Sequence, residues 1–309
     1  MRIIFFGSDD FAAVHLTQLL GSDHTIAACV TQPDKPKGRG MMVAESPIKL
    51  IAIKKKIPLL QPPTLKDETL VVHLKSLNAD VFVVVAYGKI LPENVLSIPK
   101  IFCVNVHGSL LPKYRGAAPI NWSIINGDVE TGVTVMKMSP ILDAGEMIAQ
   151  AKIAIALDDT ATCLRERMAQ LGAVTLVEAL DQISRQTHRL VRQDLALVSY
   201  APKLTKELGY ITWSEPALKI HNLVRGLQPW PGACTNANSK TVKILQTRVQ
   251  TDAPPGKPGT VLSMDKEGVV VAAGQQALVV LRVQPESGKP MDARSFVAGH
   301  KLTVGSQLG

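Results

Sequence analysis

The first half of the chain alternates between short apolar runs and segments with helical spacing. A continuous apolar run such as residues 79–86 is typical of a parallel strand that is covered on both faces. The predicted strands are residues 2–6, 26–30, 79–86, 101–106, 131–138 and 148–156. Because helical segments separate most of these runs, we predict an α/β fold with a doubly wound, mostly parallel sheet.

Local sequence signals mark where two helices of this part begin. Ser46-Pro47 has the form of an N-cap followed by a first-turn proline, and Ala117-Ala118-Pro119 opens another helical pattern. The other predicted helices are residues 11–19, 64–77, 92–97 and 160–184.

The remainder of the chain has a different pattern. One helical segment, residues 214–227, is followed by short β runs that Gly- and Pro-containing turns separate. These runs are residues 242–250, 259–264, 268–273 and 277–283. Strands of this length and spacing predict a small, OB-like β-barrel. The predicted domains are residues 1–187, a linker at 188–205, and the barrel at 206–309.

The composition agrees with a globular protein of two domains. The chain has 309 residues, of which 46% are hydrophobic, and no apolar run reaches the length that a bilayer requires. The amino terminus becomes acidic too early for a secretory signal. The four cysteines have no metal-ligand spacing, which favours free thiols in a reducing cytoplasm. We expect a cytoplasmic monomer with neither a metal site nor a membrane partner.

The net charge of +8 is concentrated in the last third of the chain. Residues 1–187 carry 19 Lys and Arg against 18 Asp and Glu, whereas residues 206–309 carry 12 against 7. A neutral body joined to a basic module predicts an enzyme with a polyanion-binding domain. A basic surface that serves only solubility is the alternative.

The apolar run 101–106 leads into the most informative polar pair. Asn105 and His107 are two residues apart, and such residues point to the same face of a strand. Open α/β sheets bind ligands at the carboxyl ends of their strands, where this pair falls. An amide and an imidazole there can polarise a carbonyl group and move a proton. Alternatively, His107 caps the strand and Asn105 satisfies a turn.

Two other loops follow predicted strands. Asp143 lies just after the strand 131–138 and is a candidate to orient His107 or to accept a proton. An ordinary Asp-initiated turn is the alternative. The loop after the first strand has only Gly7 where a G-x-G-x-x-G fingerprint needs three glycines, which argues against NAD and FAD.

Residues 31–49 form a long connection that is rich in Pro, Gly and basic residues. A connection of this length in a compact domain is usually functional or disordered. Its basic residues Lys35, Lys37 and Arg39 can contact phosphates. A solvated surface loop is the alternative.

Five segments together resemble the formyltetrahydrofolate-dependent transferases. They are NVHGSLLPKYRGAAPINW (105–122), LDAGEM (142–147), VTQPDKPKGRG (30–40), YAPKLTKE (200–207) and QPWPGA (228–233). The first two segments carry the family resemblance, and the other three indicate the branch that acts on methionyl initiator tRNA. The resemblance covers nearly the whole chain and implies a Rossmann-like formyltransferase core, followed by a tRNA-binding domain.

The resemblance also implies roles for individual residues. The family's catalytic trio matches Asn105, His107 and Asp143. Its folate-contacting segment matches Ser109, Leu110, Leu111 and Pro112. Its basic loop, which is associated with the tRNA acceptor end, matches the region of Lys35, Lys37 and Arg39. Glu146 stands where the family usually has Asp, and its role stays open.

The implied reaction moves the formyl group of 10-formyltetrahydrofolate to the α-amine of methionine on initiator tRNA. An uncharged amine attacks the formyl carbon, and we predict that Asn105 and a protonated His107 stabilise the resulting oxyanion. Asp143 is predicted to hold His107 and to help remove the proton of the amine. The implied partners are therefore folate and methionyl initiator tRNA, with no metal.

Three alternatives share parts of this pattern. A hydrolase that transfers the formyl group to water needs the same trio, and a sugar-nucleotide formyltransferase shares the same core. The basic loop at residues 31–49 argues against the hydrolase. A non-enzymatic RNA-binding protein with an inactive site would bind no folate.

Overall fold

The computed structural model describes residues 1–37, 42–264, 266–300 and 302–309. The chain forms two compact units, and each unit combines segments that are distant in sequence. The first unit consists of residues 1–116, 131–153 and 165–200, and the second of residues 117–130, 154–164 and 201–309. The domain boundaries at residues 187 and 206 stay a prediction. No described helix is both long and apolar enough to cross a membrane.

A seven-stranded sheet forms the centre of the first unit. Its strands, numbered in chain order over the whole protein, are β1 (Arg2–Gly7), β2 (Thr25–Val30), β5 (Leu59–Leu60), β6 (Val81–Val85), β7 (Phe102–His107), β9 (Glu130–Lys137) and β10 (Met147–Ala154). Their order is β10-β9-β7-β6-β1-β2-β5. The pairings from β7 to β5 are parallel, and β9 pairs with β7 in the antiparallel direction. The predicted α/β fold with a mostly parallel sheet is confirmed.

The helices of this part are α1 (Asp10–Leu20), α2 (Pro47–Lys55), α3 (Glu68–Ser76), α4 (Glu93–Leu96) and α6 (Ala161–Ser184). Three of them, α1, α2 and α3, begin at a polar side-chain cap. The side chain of Asp9 accepts a hydrogen bond from Ala12 N, and the side chain of Ser46 accepts one from Lys49 N. Each bond satisfies one of the free N–H groups at a helix start. The predicted helix start at Ser46-Pro47 is therefore found in the structure.

The connection at residues 31–49 contains a short hairpin that the sequence pattern did not predict. Strands β3 (Lys35–Lys37) and β4 (Met42–Ala44) pair in the antiparallel direction. At the base of the hairpin, Asp34 forms an ion pair with Lys49 and accepts a hydrogen bond from Gln61. These contacts fix where the hairpin leaves the sheet. Strands of three residues are too short to give a recognisable alternation.

A small antiparallel sheet forms the centre of the second unit. Its strands are β12 (Ala233–Ala237), β13 (Lys240–Gln250), β14 (Val261–Met264), β15 (Val269–Ala272), β16 (Ala277–Pro285) and β17 (Met291–Asp292). Their order is β12-β13-β16-β15-β14, and β17 pairs with β16. The helices of this unit are α5 (Pro119–Ile125), α7 (Ala217–Gly226) and α8 (Ala293–Gly299). The predicted β-barrel domain is found as an antiparallel β domain, although β12, β17 and α8 were not predicted.

Two further short strands are β8 (Arg115–Gly116) and β11 (Tyr200–Ala201). Strand β11 lies in the predicted linker, which is therefore not a featureless connection. A short 3₁₀ helix, Leu195–Leu197, precedes it and begins at a side-chain cap from Asp194.

His15 is a fully buried residue of α1. Its Nδ1 atom lies 2.8 Å from the Phe11 carbonyl oxygen, and its Nε2 atom has no hydrogen-bond partner among the described residues. A Cβ atom at Gly172 of α6 would lie 2.7 Å from this Nε2, so the two helices are in close contact here. The pKa of His15 is lowered to about 4, mainly by burial; the bond to the Phe11 carbonyl opposes this shift, and the positive charge of Arg165 contributes to it.

We predict that the free energy of unfolding falls as the pH drops from 6.5 towards 4. The unfolded chain binds a proton on His15 in this range, whereas the folded chain excludes it, so His15 removes up to about 1.4 kcal/mol per pH unit. Urea unfolding at several pH values measures the effect. The variant His15→Met should lose this part of the pH dependence, and His73→Gln, which changes an exposed histidine, should keep it. Equal pH dependence in wild type and His15→Met would contradict the assignment.

Candidate active site

Asn105 and His107 lie at the carboxyl end of strand β7, an inner strand of the central sheet. In the register with β9, Asn105 lies opposite Met136 and His107 lies opposite Thr134. His107 is buried, and Asn105 is half-buried. Among the described residues, the side-chain amide of Asn105 has no hydrogen-bond partner. An amide without a hydrogen-bond partner, at the carboxyl end of a strand in a mostly parallel sheet, is available to a ligand.

A backbone carbonyl fixes the ring of His107. The Nε2 atom of His107 lies 2.9 Å from the Tyr114 carbonyl oxygen. Because a carbonyl oxygen only accepts, Nε2 carries the hydrogen in this bond. The other ring nitrogen, Nδ1, then faces the carboxylate of Asp143, with 3.7 Å between Nδ1 and Oδ2. This distance allows electrostatic contact but is too long for a hydrogen bond.

Asp143 lies on the loop between β9 and β10, and its backbone conformation and one hydrogen bond to its carboxylate define its position. Its φ of 51° is in the left-handed region, and the Gly116 N–H donates to Oδ2 at 2.8 Å. Two residues later, a Cβ atom at Gly145 would lie 1.7 Å from the Lys137 carbonyl oxygen. Only glycine allows this approach of loop and strand. The loop therefore presents the Asp143 carboxylate to His107 through backbone geometry.

Gln193 supports the same loop and was not among the sequence-based candidates. Its Nε2 donates to the carbonyl oxygens of Asp143 and Gly145, at 2.8 Å each. Its Oε1 accepts two bonds from the Arg115 guanidinium, at 3.0 and 2.7 Å. Gln193 falls in the predicted linker, and no local pattern marks a polar residue that folds back onto a distant loop.

Two polar side chains, those of Thr134 and Gln150, bind the backbone of the segment Ser109–Pro112. Thr134 donates to the Ser109 carbonyl and accepts from the Leu111 N–H, and Gln150 donates to the Leu111 carbonyl. Ser109 itself is fully buried and donates to the Lys113 carbonyl. These bonds make the segment a fixed wall. Its predicted folate contacts stay a prediction.

The remaining candidates are less informative. Glu146 forms an ion pair with Lys137 at 3.6 Å, and both side chains are about one-third exposed. Lys35 and Lys37 belong to β3, whereas Arg39 lies outside the described residues. Within the described ranges, no group of three or more His, Cys, Asp and Glu side chains is placed to hold a metal ion.

Two chemical capacities result from this arrangement. The Asn105 amide can donate a hydrogen bond to a developing oxyanion. The His107–Asp143 pair can accept and return one proton, because the Nδ1 atom and the carboxylate face each other without being locked in a hydrogen bond. This combination suits the transfer of an acyl-type group to a nucleophile that must lose a proton.

Two family models match the chain. The formyl transferase model matches residues 1–180, and the formyl transferase C-terminal domain model matches residues 203–301. Both halves of the chain are therefore covered by one family.

Proteins with assigned functions and proteins with solved structures are also similar to this chain. The methionyl-tRNA formyltransferase of Geobacter metallireducens is 45% identical over 309 residues, covering 100% of this chain and 99% of that protein. That of Acetivibrio thermocellus is 46% identical over 310 residues, covering 100% of both. An N-formyltransferase from Helicobacter canadensis, solved with folinic acid and dTDP-3-aminofucose, has a TM-score of 0.68 at 19% identity, covering 91% of this chain and 99% of that one. This last similarity shows the fold alone.

We predict that Gly145→Ala displaces the Asp143 loop. The added methyl group would overlap the Lys137 carbonyl, so the loop must move away from β9. Hydrogen exchange of residues 139–147 should become at least about tenfold faster, as expected for a loss of roughly 1.4 kcal/mol or more of local stability. Gly21→Ala is the control, because its φ of −93° suits alanine and its closest contact is an ordinary 3.5 Å. Unchanged exchange in Gly145→Ala would contradict the close approach.

Proposed function

The chain belongs to the formyl transferase family, and we propose that it transfers the formyl group of 10-formyltetrahydrofolate to the α-amino group of methionyl initiator tRNA. The similarity to methionyl-tRNA formyltransferases over the full length of both proteins supports the tRNA substrate. The observation that carries the chemistry is the distance of 3.7 Å between His107 Nδ1 and Asp143 Oδ2. Asn105 lies on the same strand as His107, two residues earlier.

The first step is attack by the amine nitrogen on the formyl carbon. The amine must be uncharged, because an ammonium group has no lone pair. Asp143 Oδ1 makes no hydrogen bond within the described parts of the chain, whereas Oδ2 accepts from Gly116, so Oδ1 is the atom that takes the proton of the amine. The Asn105 amide and a proton on His107 Nδ1 then stabilise the tetrahedral oxyanion.

The second step is collapse of the oxyanion. The carbonyl reforms, the bond from carbon to the folate nitrogen breaks, and that nitrogen takes the proton of His107 Nδ1. Asp143 returns the proton from the amine to Nδ1, so the enzyme ends in its starting state. The Tyr114 carbonyl keeps the His107 ring in place throughout, because it accepts a hydrogen bond from Nε2. Nδ1 is therefore the ring atom that transfers the proton.

A folate co-substrate agrees with the family and with the folinic acid that the Helicobacter canadensis structure contains. We propose that residues 109–112 form one wall of its site. Support comes from the bonds of Thr134 and Gln150, which hold the backbone of this segment rigid. Leu110 and Pro112 are partly exposed and offer apolar surface to an aromatic ring.

For the tRNA, we propose that the basic loop contacts the acceptor end and that the basic region 206–309 contacts other phosphates. The charge of residues 206–309, with 12 Lys and Arg against 7 Asp and Glu, supports the second contact. In the loop, the backbone of Lys35–Lys37 is set by the hairpin with β4. Lys35, Lys37 and Arg39 are the residues that we assign to phosphate binding.

We further propose that the protein acts as a monomer in the cytoplasm. All four cysteines are free, as cysteines usually are in a reducing compartment. Burial raises the pKa of the thiols of Cys29 and Cys103 to about 12, so both remain protonated near neutral pH. Light scattering of the purified protein distinguishes a monomer from a dimer.

A label-transfer assay tests the proposed reaction. The protein is mixed with methionyl initiator tRNA and 10-formyltetrahydrofolate that carries the label in its formyl group. We expect the label on the amino group of the esterified methionine. Release of labelled formate without tRNA would identify a hydrolase instead, and labelling of a dTDP-amino sugar alone would identify a sugar-nucleotide enzyme.

We predict that His107→Ala and Asp143→Asn each lower kcat by roughly 10²- to 10⁴-fold, the usual contribution of a group that transfers a proton. Binding of methionyl initiator tRNA, measured by filter retention, should stay within about twofold of wild type, because neither side chain is assigned to the phosphates. His73→Ala, an exposed histidine, is the control. An equal loss of tRNA binding and kcat would contradict the assigned roles.

We predict that replacing Lys35, Lys37 and Arg39 by Ala weakens tRNA binding and flattens its salt dependence. The slope of log K against log salt should fall by about one for each phosphate that the variant no longer neutralises. Replacing Lys54, Lys55 and Lys66, three exposed lysines outside the loop, removes the same number of positive charges and is the matched control. If both triple variants show the same slope, the loop makes no specific contribution.

A further inference from the structure

Gln193 is a buried glutamine between two parts of the active site. It is 9% exposed, and its partner Arg115 is 6% exposed. Four hydrogen bonds surround its amide: two from Arg115 to Oε1, and two from Nε2 to the carbonyls of Asp143 and Gly145. Both amide hydrogens and both lone pairs of the oxygen therefore have partners. The bonds fix the amide in one orientation.

The segment Tyr114–Gly116 connects this amide to both catalytic side chains. Tyr114 gives its carbonyl to His107 Nε2, Gly116 gives its N–H to Asp143 Oδ2, and Arg115 binds Gln193. The loop of Asp143 is thus held at two points, by Gly116 at the carboxylate and by Gln193 at the backbone. Gly116 belongs to the segment Tyr114–Gly116, and Gln193 is bound to Arg115 of the same segment. This segment therefore determines the distance between His107 and Asp143.

We infer that Gln193 is a positioning residue for the formyl transfer, acting through the backbone of the Asp143 loop. The inference rests on the proposed function. Asp143 has a left-handed φ of 51°, a conformation that Asp tolerates better than most residues but that surrounding contacts must still favour over extended backbone. Gln193 supplies such contacts at the carbonyls of Asp143 and Gly145. Without it, the loop relaxes and the carboxylate leaves the position from which it serves His107 and the amine.

The chemistry of the site requires an amide and not a carboxylate. Glutamate has the same shape and would form an ion pair with Arg115, so the packing and the contact to Arg115 are kept. Its second oxygen, however, would face the carbonyl oxygens of Asp143 and Gly145, and oxygens that only accept repel each other. Gln193→Glu therefore separates the two functions of the residue: it keeps the bond to Arg115 and removes the hold on the loop.

The decisive experiment measures formyl transfer, substrate binding and stability of Gln193→Glu. We expect kcat to fall about 10- to 100-fold, because a displacement of about 1 Å in a catalytic group costs that much. The KM for methionyl initiator tRNA should stay close to wild type, whereas the melting temperature should fall by a few degrees, because two buried carbonyls lose their donor. Gln170→Glu is the matched control, since it makes the same change on the exposed surface of α6 and should leave kcat unchanged. A kcat of Gln193→Glu within about twofold of wild type would overturn the inference, as would a change confined to KM.

A second variant covers the case in which Gln193→Glu fails to fold. Replacing both Arg115 and Gln193 by Met removes two polar partners together, which leaves no buried charge unpaired. This double variant should fold and show the same loss of kcat, with faster hydrogen exchange at residues 139–147. Normal kcat and normal exchange in the folded double variant would overturn the inference. The exchange readout needs no substrate, and an inactive wild type would refute the proposed function instead.

Discussion

The hydrogen bond from His107 Nε2 to the Tyr114 carbonyl is the contact on which the candidate site depends. It assigns one hydrogen to Nε2 and leaves Nδ1 as the only ring nitrogen that can exchange a proton with Asp143 or a substrate. In many sites a carboxylate orients the histidine ring. Here the backbone orients it, so the carboxylate is free to act on the substrate.

The position of Asp143 beside His107 depends on the path of the loop that follows β9. Strand β9 runs antiparallel to β7, and Lys137 at its end lies opposite Val104, three residues before His107. The following loop must therefore extend along the sheet to bring Asp143 to His107. The close approach of Gly145 to the Lys137 carbonyl, and the bonds from Gln193, make this path possible. The two Gln193 bonds join residues that are 50 and 48 positions apart in the sequence.

Much of the fold could be predicted from the sequence, because buried parallel strands such as 79–86 are continuous apolar runs. The helix start at Ser46-Pro47 could be predicted for a similar reason, since cap chemistry is local. Strand β12 (ACTNA) was missed because it has few β-branched residues and is held mainly by its pairing with β13. Helix α8 was missed although Asp292 caps it by accepting from Ser295 N, a signal that was present in the sequence. At the site, the residue types of Asn105, His107 and Asp143 were evident, but the Tyr114 and Gln193 contacts follow from tertiary geometry alone.

The most direct test of the central claim is nitrogen-15 NMR of the His107 ring, with selective histidine labelling and a His107 variant for assignment. We predict that Nε2 carries a hydrogen at neutral pH, whatever the state of Nδ1, because the Tyr114 carbonyl can only accept. A ring in which Nε2 is unprotonated and only Nδ1 carries a hydrogen would contradict this assignment.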